Sequence, residues 1–276
     1  MIHWFPGHMH KARKELKKII NQVDVVFEVV DARVPDASSN PILHEIMFNK
    51  PLIKVLSKAD LADTIITNKW LQFYEKKAIA INIRADKKTS KRLITLAEKM
   101  VPNRGSILKP IRAIVVGIPN VGKSTLINLL ANRKVVKTGN EPAVTKRQEN
   151  ICISKGFYLR DTPGIMSPSP KSEDANYKLA ACGAIRDTAM DYPSVFSYLV
   201  KYLALNESNL FCSRYALDKN MISNTSEIEL LNQISLKLGT IKANNIQNTH
   251  QTAEKVIQDF RQGRMGRISL EKPSII

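Results

Sequence analysis

The stretch Ile111-Arg-Ala-Ile-Val-Val116-Gly117-Ile-Pro-Asn-Val-Gly122-Lys123-Ser124 decides the fold. Its first part is nearly continuously apolar and rich in β-branched residues, as a strand covered on both faces should be. Its second part matches Gly-x-x-x-x-Gly-Lys-Ser, a phosphate-binding loop whose glycines let consecutive backbone N–H groups turn inward on an anion. The run from Lys123 to Leu130 reads as a helix, whose N-terminal partial charge favours phosphate. Asn120, Val121, Gly122, Lys123, Ser124 and Thr125 are therefore candidate nucleotide contacts. Lys123 is spaced to reach the β- and γ-phosphates, and the Ser124 hydroxyl to ligate Mg²⁺.

Downstream, Asp161-Thr-Pro-Gly164 comes directly after the apolar run Gly156–Arg160. In that context Asp161 is a candidate for the metal and the Gly164 N–H for the γ-phosphate. Asp-x-Pro-Gly is also a common turn sequence, so the motif takes its meaning from the loop before it. Thr145, on the polar stretch between the two, is a candidate third Mg²⁺ ligand in the GTP state. Upstream, Pro51-Leu-Ile-Lys-Val-Leu56 runs into Ser57-Lys58-Ala59-Asp60. The Asp60 carboxylate suits the N1–H and N2–H₂ edge of guanine, which adenine lacks, and the Lys58 stem suits a ring face. Ala59 completes the base-reading loop, and Ser57 stands where Asn is usual. A plain Ser-Lys-Ala-Asp turn opening a helix is the alternative. The order is inverted: in an ordinary GTPase the base-reading loop closes the domain, whereas here it precedes the phosphate loop. That order implies a circularly permuted chain.

Further strands are expected over Val23–Val30, Ala78–Ile83 and Glu149–Ile153, the last joined to Gly156–Arg160 by a Lys155-Gly156 turn. Helices are expected over Lys11–Ile20, Thr67–Lys77 and Ser90–Met100. Strands alternating with helices predict an α/β, doubly wound parallel sheet. Beyond Pro168-Ser-Pro170 the pattern becomes helical throughout, so the chain divides into a permuted GTPase domain, 1–170, and a small all-α domain, 171–276.

The chain has 276 residues, with 42 Lys+Arg against 25 Asp+Glu and a formal charge of +17. Such a field favours a polyanionic partner, nucleic acid first, a generally basic surface being the bland alternative. No apolar run is long enough to span a membrane. Cys152, Cys182 and Cys212 lack Cys-x-x-Cys spacing and are expected to be buried, reduced thiols. With no leader before Trp4, the expectation is a cytoplasmic protein.

Trp4-Phe5-Pro6-Gly7-His8-Met9, Asp31-Ala32-Arg33-Val34-Pro35, the permuted nucleotide motifs and Phe260-Arg261-x-Gly263-x-x-Gly266-Arg267-Ile268-Ser269 together resemble the circularly permuted ribosome-biogenesis GTPase A family. The resemblance covers nearly the whole chain. It implies a GTPase acting late in assembly of the large ribosomal subunit, with the subunit precursor and its rRNA as partners, GTP/GDP and Mg²⁺ as ligands, and a monomeric state. It also implies that His8 orients the attacking water, since Ile165 occupies the position where many GTPases carry Gln. Capping or packing of the first helix is the other reading of His8. Asn120 matches a residue that helps hold K⁺ in related GTPases, and the second base loop falls near Asn82-Ile83-Arg84. Arg261, Arg264 and Arg267 are spaced for phosphate contacts or form a solvated helix end. Two other functional classes remain open: an RNA-binding switch with negligible hydrolysis, and a small-molecule phosphotransferase, against which Asp60 and the permuted order argue.

Overall fold

The computed structural model describes residues 14, 16–47, 49–74, 78–80, 87–136, 150–160, 162, 172–185, 187, 190–219, 225–240 and 249–274. Six strands form one sheet: β1 (Val25–Asp31), β2 (Leu52–Ser57), β3 (Ala78–Ala80), β4 (Ile111–Val116), β5 (Asn150–Ser154) and β6 (Phe157–Arg160), in the order β3-β2-β1-β4-β6-β5. β1 is buried along its whole length, which is why its sequence shows no alternation. It pairs in parallel with β2 on one side and β4 on the other, Asp31 lying opposite Ser57 and Glu28 opposite Val116. The chain winds outward from β1 to β3, then returns to β1's other edge with β4. Loops leaving the carboxyl ends of β1 and β4 therefore diverge, and that divergence makes the crevice in which such sheets bind ligands.

The sheet is mixed rather than parallel throughout, because β5 runs antiparallel to β6. Lys155 and Gly156 are too few residues for a crossover, so the hairpin geometry wins over the general β–α alternation. The helix α1 (Pro41–Ile46) starts at Asn40, whose side chain accepts from the Ile42 N–H at 3.0 Å. α2 (Thr64–Phe73) begins before the expected Thr67, since the Asp63 carboxylate caps it by accepting from the Ile66 N–H at 2.7 Å. α3 spans Lys87–Met100 and α4 spans Lys123–Ala131, the latter ending on Asn132 in the left-handed conformation. Residues 75–77 and 81–83 of the expected helix and strand lie outside the described residues, as do 11–13 and 15 of the first helix. Leu16–Ile19 are helical as expected.

Beyond β6, the described elements are the helices α5 (Glu173–Ala181), α6 (Tyr192–Asn206), α7 (Ser208–Tyr215), α8 (Glu227–Leu238) and α9 (Thr249–Arg261). Ser172 and Ser226 cap α5 and α8 through their hydroxyls. The main apolar core is continuous from Phe27, Val115 and Leu159 in the sheet to Leu179, Phe196, Leu199, Val256 and Phe260 in these helices. Each such side chain, fully buried, contributes roughly 1.5–3 kcal/mol by leaving water. On the other face, Leu16, Ile20, Val23, Leu43 and Met47 cover Val26, Ile114 and Val116. After α9 the chain returns to the loops that follow β2 and β1: the Ile268 N–H donates to the Leu61 carbonyl at 3.0 Å and the Leu270 N–H to the Arg33 carbonyl at 2.9 Å.

Of the three thiols, Cys182 and Cys212 are buried but Cys152 is exposed. The expectation of buried thiols fails there because β5 is an edge strand, and its alternation turns Cys152 to the outer face. No described helix is long and apolar enough to cross a membrane.

Candidate functional site

The phosphate loop leaves β4 with Gly117 at φ 151°, Asn120 at φ 59° and Gly122 at φ 99°. Gly117 admits no side chain, for a Cβ there would stand 2.5 Å from the Val29 carbonyl oxygen. α4 then starts at Gly122 without a side-chain cap, so its first N–H groups are left to an anion. The Lys123 ammonium donates to the Ile118 carbonyl across the loop at 2.7 Å, and Ser124 and Thr125 are partly buried in the first turn of α4. Val121 is buried. The Asn120 amide nitrogen donates to the Gly183 carbonyl at 3.0 Å, tying the loop to the end of α5. This geometry fits a nucleotide's phosphates, and Ser124 is the described residue among the three expected metal ligands.

The base-reading loop leaves β2 beside it. The Ser57 hydroxyl, 3 % exposed, lies 3.0 Å from the Val30 carbonyl and also contacts the Val121 carbonyl of the phosphate loop. A single hydroxyl proton serves two acceptors, where an Asn amide would bring two. The two loops, separated by about sixty residues of chain, are thus in direct contact. Lys58 takes φ 55°, Ala59 packs on the apolar cluster of Val30, Leu56 and Trp70, and Asp60 is partly exposed beside them.

Lys58 is held by a group outside the nucleotide motifs. Its ammonium lies 2.9 Å from Asp31 Oδ2, and Asp31 also takes a two-pronged bond from Arg33, Nε to Oδ1 at 2.9 Å and Nη2 to Oδ2 at 2.8 Å. Burial pushes the Asp31 carboxyl up, but the charges of Arg33 and Lys58 outweigh it and hold the group well below the usual carboxylate range. Arg33 is itself buried, stacks over the Phe260 ring at 5.1 Å and donates to the Cys182 carbonyl at 3.3 Å. Its Nη1 has no hydrogen-bond partner among the described residues. The base-reading loop is therefore braced from α9 and the end of α5. Glu271 completes the brace: its carboxylate accepts from the Asp36 N–H at 2.8 Å and the Ala37 N–H at 3.2 Å, while the Asp63 N–H donates to Ser269 Oγ at 3.1 Å. The available sequence signal was the charged pair Asp31 and Arg33 at the end of a mostly apolar strand.

A second buried ion cluster lies beneath the loop after β1. Glu28 on β1 faces Lys54 on β2 at 2.6 Å, and His44 reaches the same oxygen at 2.8 Å. Burial again pushes the carboxyl up, yet the His44 hydrogen bond and the Lys54 charge bring Glu28 down to about 2. Arg261, expected among phosphate-contacting arginines, instead donates to the Ala180 and Ala181 carbonyls at 2.9 and 3.2 Å and pairs with Asp187 at 2.9 Å. Its donors close α9 onto α5. Arg264 pairs with Asp259 at 2.7 Å and Arg267 donates to Thr64 Oγ1 at 2.9 Å, both with exposed side chains.

Thr162 is buried, and its hydroxyl donates to the Val115 carbonyl at 2.7 Å, pinning its motif to β4. Its neighbours Asp161 and Gly164, and also Ile165, Thr145, His8 and the Asn82–Arg84 loop, lie outside the described residues.

Comparison with known proteins agrees with this geometry. A family model described as a 50S ribosome-binding GTPase matches residues 112–202. The match starts within β4 and leaves Ser57–Asp60 upstream, as a permuted order requires. Ribosome biogenesis GTPase A of Priestia megaterium is 39% identical over 284 residues, 99% of this chain and 97% of its own. That of Bacillus licheniformis is 41% identical over 285 residues, 99% of each. Among solved structures, GNP-bound YlqF from T. maritima superposes with a TM-score of 0.69 over 96% of this chain and 100% of its own, at 26% identity.

Proposed function

The chain belongs to the ribosome biogenesis GTPase A family, and from that premise we propose that this GTPase acts late in maturation of the large ribosomal subunit. It binds the precursor particle through rRNA in the GTP state and leaves after hydrolysis. The observation that carries the nucleotide half of this reading is the contact of Ser57 with the Val121 carbonyl, which sets a guanine-reading loop against a phosphate loop. The particle half rests on the basic charge of +17 and on the relatives' names.

In this mechanism the N–H groups from Asn120 to Thr125 and the Lys123 ammonium hold the β- and γ-phosphates, and Asp60 accepts from the guanine edge while Lys58 covers the ring. Ser124, Thr145 and Asp161 would hold Mg²⁺, which would supply positive charge against that developing on the phosphates. The Gly164 N–H meets the γ-phosphate. The Asn120 carbonyl oxygen is the atom of the right chemistry for K⁺, its amide nitrogen being donated to Gly183. His8 positions water in place of the apolar Ile165. Residues 1–170 are the permuted GTPase domain and 171–276 the helical ribosome-binding unit. The protein works as a cytoplasmic monomer.

Multiple-turnover GTP hydrolysis, measured with and without immature large-subunit particles, tests this. Particles should raise the rate of the wild type, and His8→Ala should lose most of that rise while keeping GDP affinity. A rate indifferent to particles overturns the assembly role; a rate indifferent to His8→Ala overturns only the assignment of His8.

A further inference from the structure

Among the described residues, one face of the sheet is left uncovered at the end away from the loops that follow β2 and β4. On β4, Ile114 and Val116 are covered by the first helical segment and α1, but the cover stops before Arg112, which lies on the same face and is exposed. Across the next strands Arg112 stands opposite Tyr158, and Tyr158 opposite Cys152; one step along, Arg160 stands opposite Asn150. Adjacent strands lie about 4.8 Å apart, so Arg112, Tyr158 and Cys152 form a row across the three strands. Tyr158 is 38% exposed and Cys152 is exposed beside it. The reverse face of the same strands carries Ile111, Ala113, Phe157 and Leu159, all in the core. The open face is therefore the outer side of a well-anchored platform.

Among the described groups Asp24, Arg104, Arg112, Lys109 and Lys155, basic side chains outnumber acidic ones. Asp24 already pairs with Arg104 at 2.9 Å and with Arg112 at 3.5 Å, whereas Lys109 and Lys155 are exposed at the adjoining turns. Gly156 seats the loop of residues 104–110 against the hairpin, because a Cβ there would fall 2.2 Å from the Gly105 carbonyl oxygen. The loop thus sets Ile107 and Leu108, 74% and 94% exposed, beside the basic rim. An exposed aromatic on a sheet face, bounded by arginines and lysines, suits unstacked bases and their phosphates better than it suits a folded protein face.

We propose that the open face of β4, β6 and β5, centred on Tyr158 and rimmed by Arg112, Lys155 and Arg160, is a contact surface for single-stranded RNA. A base stacks on Tyr158 while the rim holds the flanking phosphates. The proposal deepens, and rests on, the reading of the chain as a factor that binds a ribosomal particle through rRNA. It places one contact outside the helical unit.

The test uses the full chain and a fluorescent single-stranded RNA oligonucleotide. Tyr158→Ala should weaken binding about tenfold. Lys155→Glu should make the fall of log affinity with log salt shallower by about 1 or slightly more. Both variants should keep wild-type basal GTP hydrolysis, since neither residue belongs to the nucleotide site. Cys152 is the exposed thiol of the three, so bound RNA should protect it from alkylation, and a photo-crosslinker attached there should mark rRNA in particles. Wild-type RNA affinity in both variants, or crosslinks to ribosomal protein or to a second copy of the chain, overturns the proposal. Failure of the wild type to co-sediment with particles, with oligonucleotide binding at this face intact, sinks the assembly reading and leaves the RNA face standing.

Discussion

Two arginine–aspartate pairs near opposite ends of β1 have opposite fates. Arg33 and Asp31, at the carboxyl end of β1, have side chains 1% and 3% exposed and share their charge with Lys58. Arg112 and Asp24, near the other end, meet at 3.5 Å with the arginine 48% exposed. The first pair is desolvated, so each member depends on the other and the geometry is fixed; in the second Arg112 remains wet while Asp24, 11% exposed, has Arg104 as a nearer partner at 2.9 Å, so the Arg112 contact is worth little to the fold. One kind of ion pair therefore braces the loop of Ser57–Asp60 near one end of β1 and leaves an arginine at the surface near the other.

The largest test of that contrast is Asp31→Asn. It leaves Arg33 buried without its carboxylate and should cost about 3–5 kcal/mol in chemical denaturation. It also frees Lys58, so GDP affinity should fall, which isothermal titration can measure. Gly117→Ala comes next: its Cβ would press on the Val29 carbonyl, and about 1–3 kcal/mol of stability should go, together with nucleotide binding.

Acid titration probes the other buried pair. Glu28 sits at about 2 in the folded protein against an ordinary value of 4.5. A depressed folded pKa gives stability that is fully present above about 4.5 and is lost as pH falls toward 2. The denaturation midpoint should decline through that window, and a flat profile would show that Lys54 and His44 do not hold the carboxylate charged. The smallest expected effect is Arg112→Ala, under about 1 kcal/mol. A loss comparable to that of Asp31→Asn would erase the distinction between the two regions.

Much of this is legible in the chain. The β4 strand, the phosphate loop and α4 lie within one short window, where hydrophobic periodicity and glycine placement act locally. β1 and β2 fall within a residue or two of their apolar runs, and α2 begins earlier than its apolar pattern implies because the Asp63 cap sets its start. The antiparallel edge is a different matter. The Lys155-Gly156 turn is visible in the sequence, but the general β–α alternation suggests a wholly parallel sheet, and the short turn overrides it. Cys152 departs from expectation for the same reason, since exposure on an edge strand depends on which neighbours cover it.

By itself, the sequence determined the nucleotide-binding motifs, their permuted order and the helical character beyond residue 170, because each is written in local residue patterns or in the order of such patterns. Tertiary structure alone decided that Asp31 joins Lys58 to Arg33, that Arg33 leans on Phe260 and Cys182, and that Glu271 ties the chain's end to the loop after β1. It also decided that Arg261 faces inward while Arg112 stays at the surface. Arg261 lies in a polar stretch and Arg112 in an apolar strand, yet the worth of each depends on desolvation by segments far away in the chain. No local pattern encodes that burial; only the packed fold sets how much water each charge keeps.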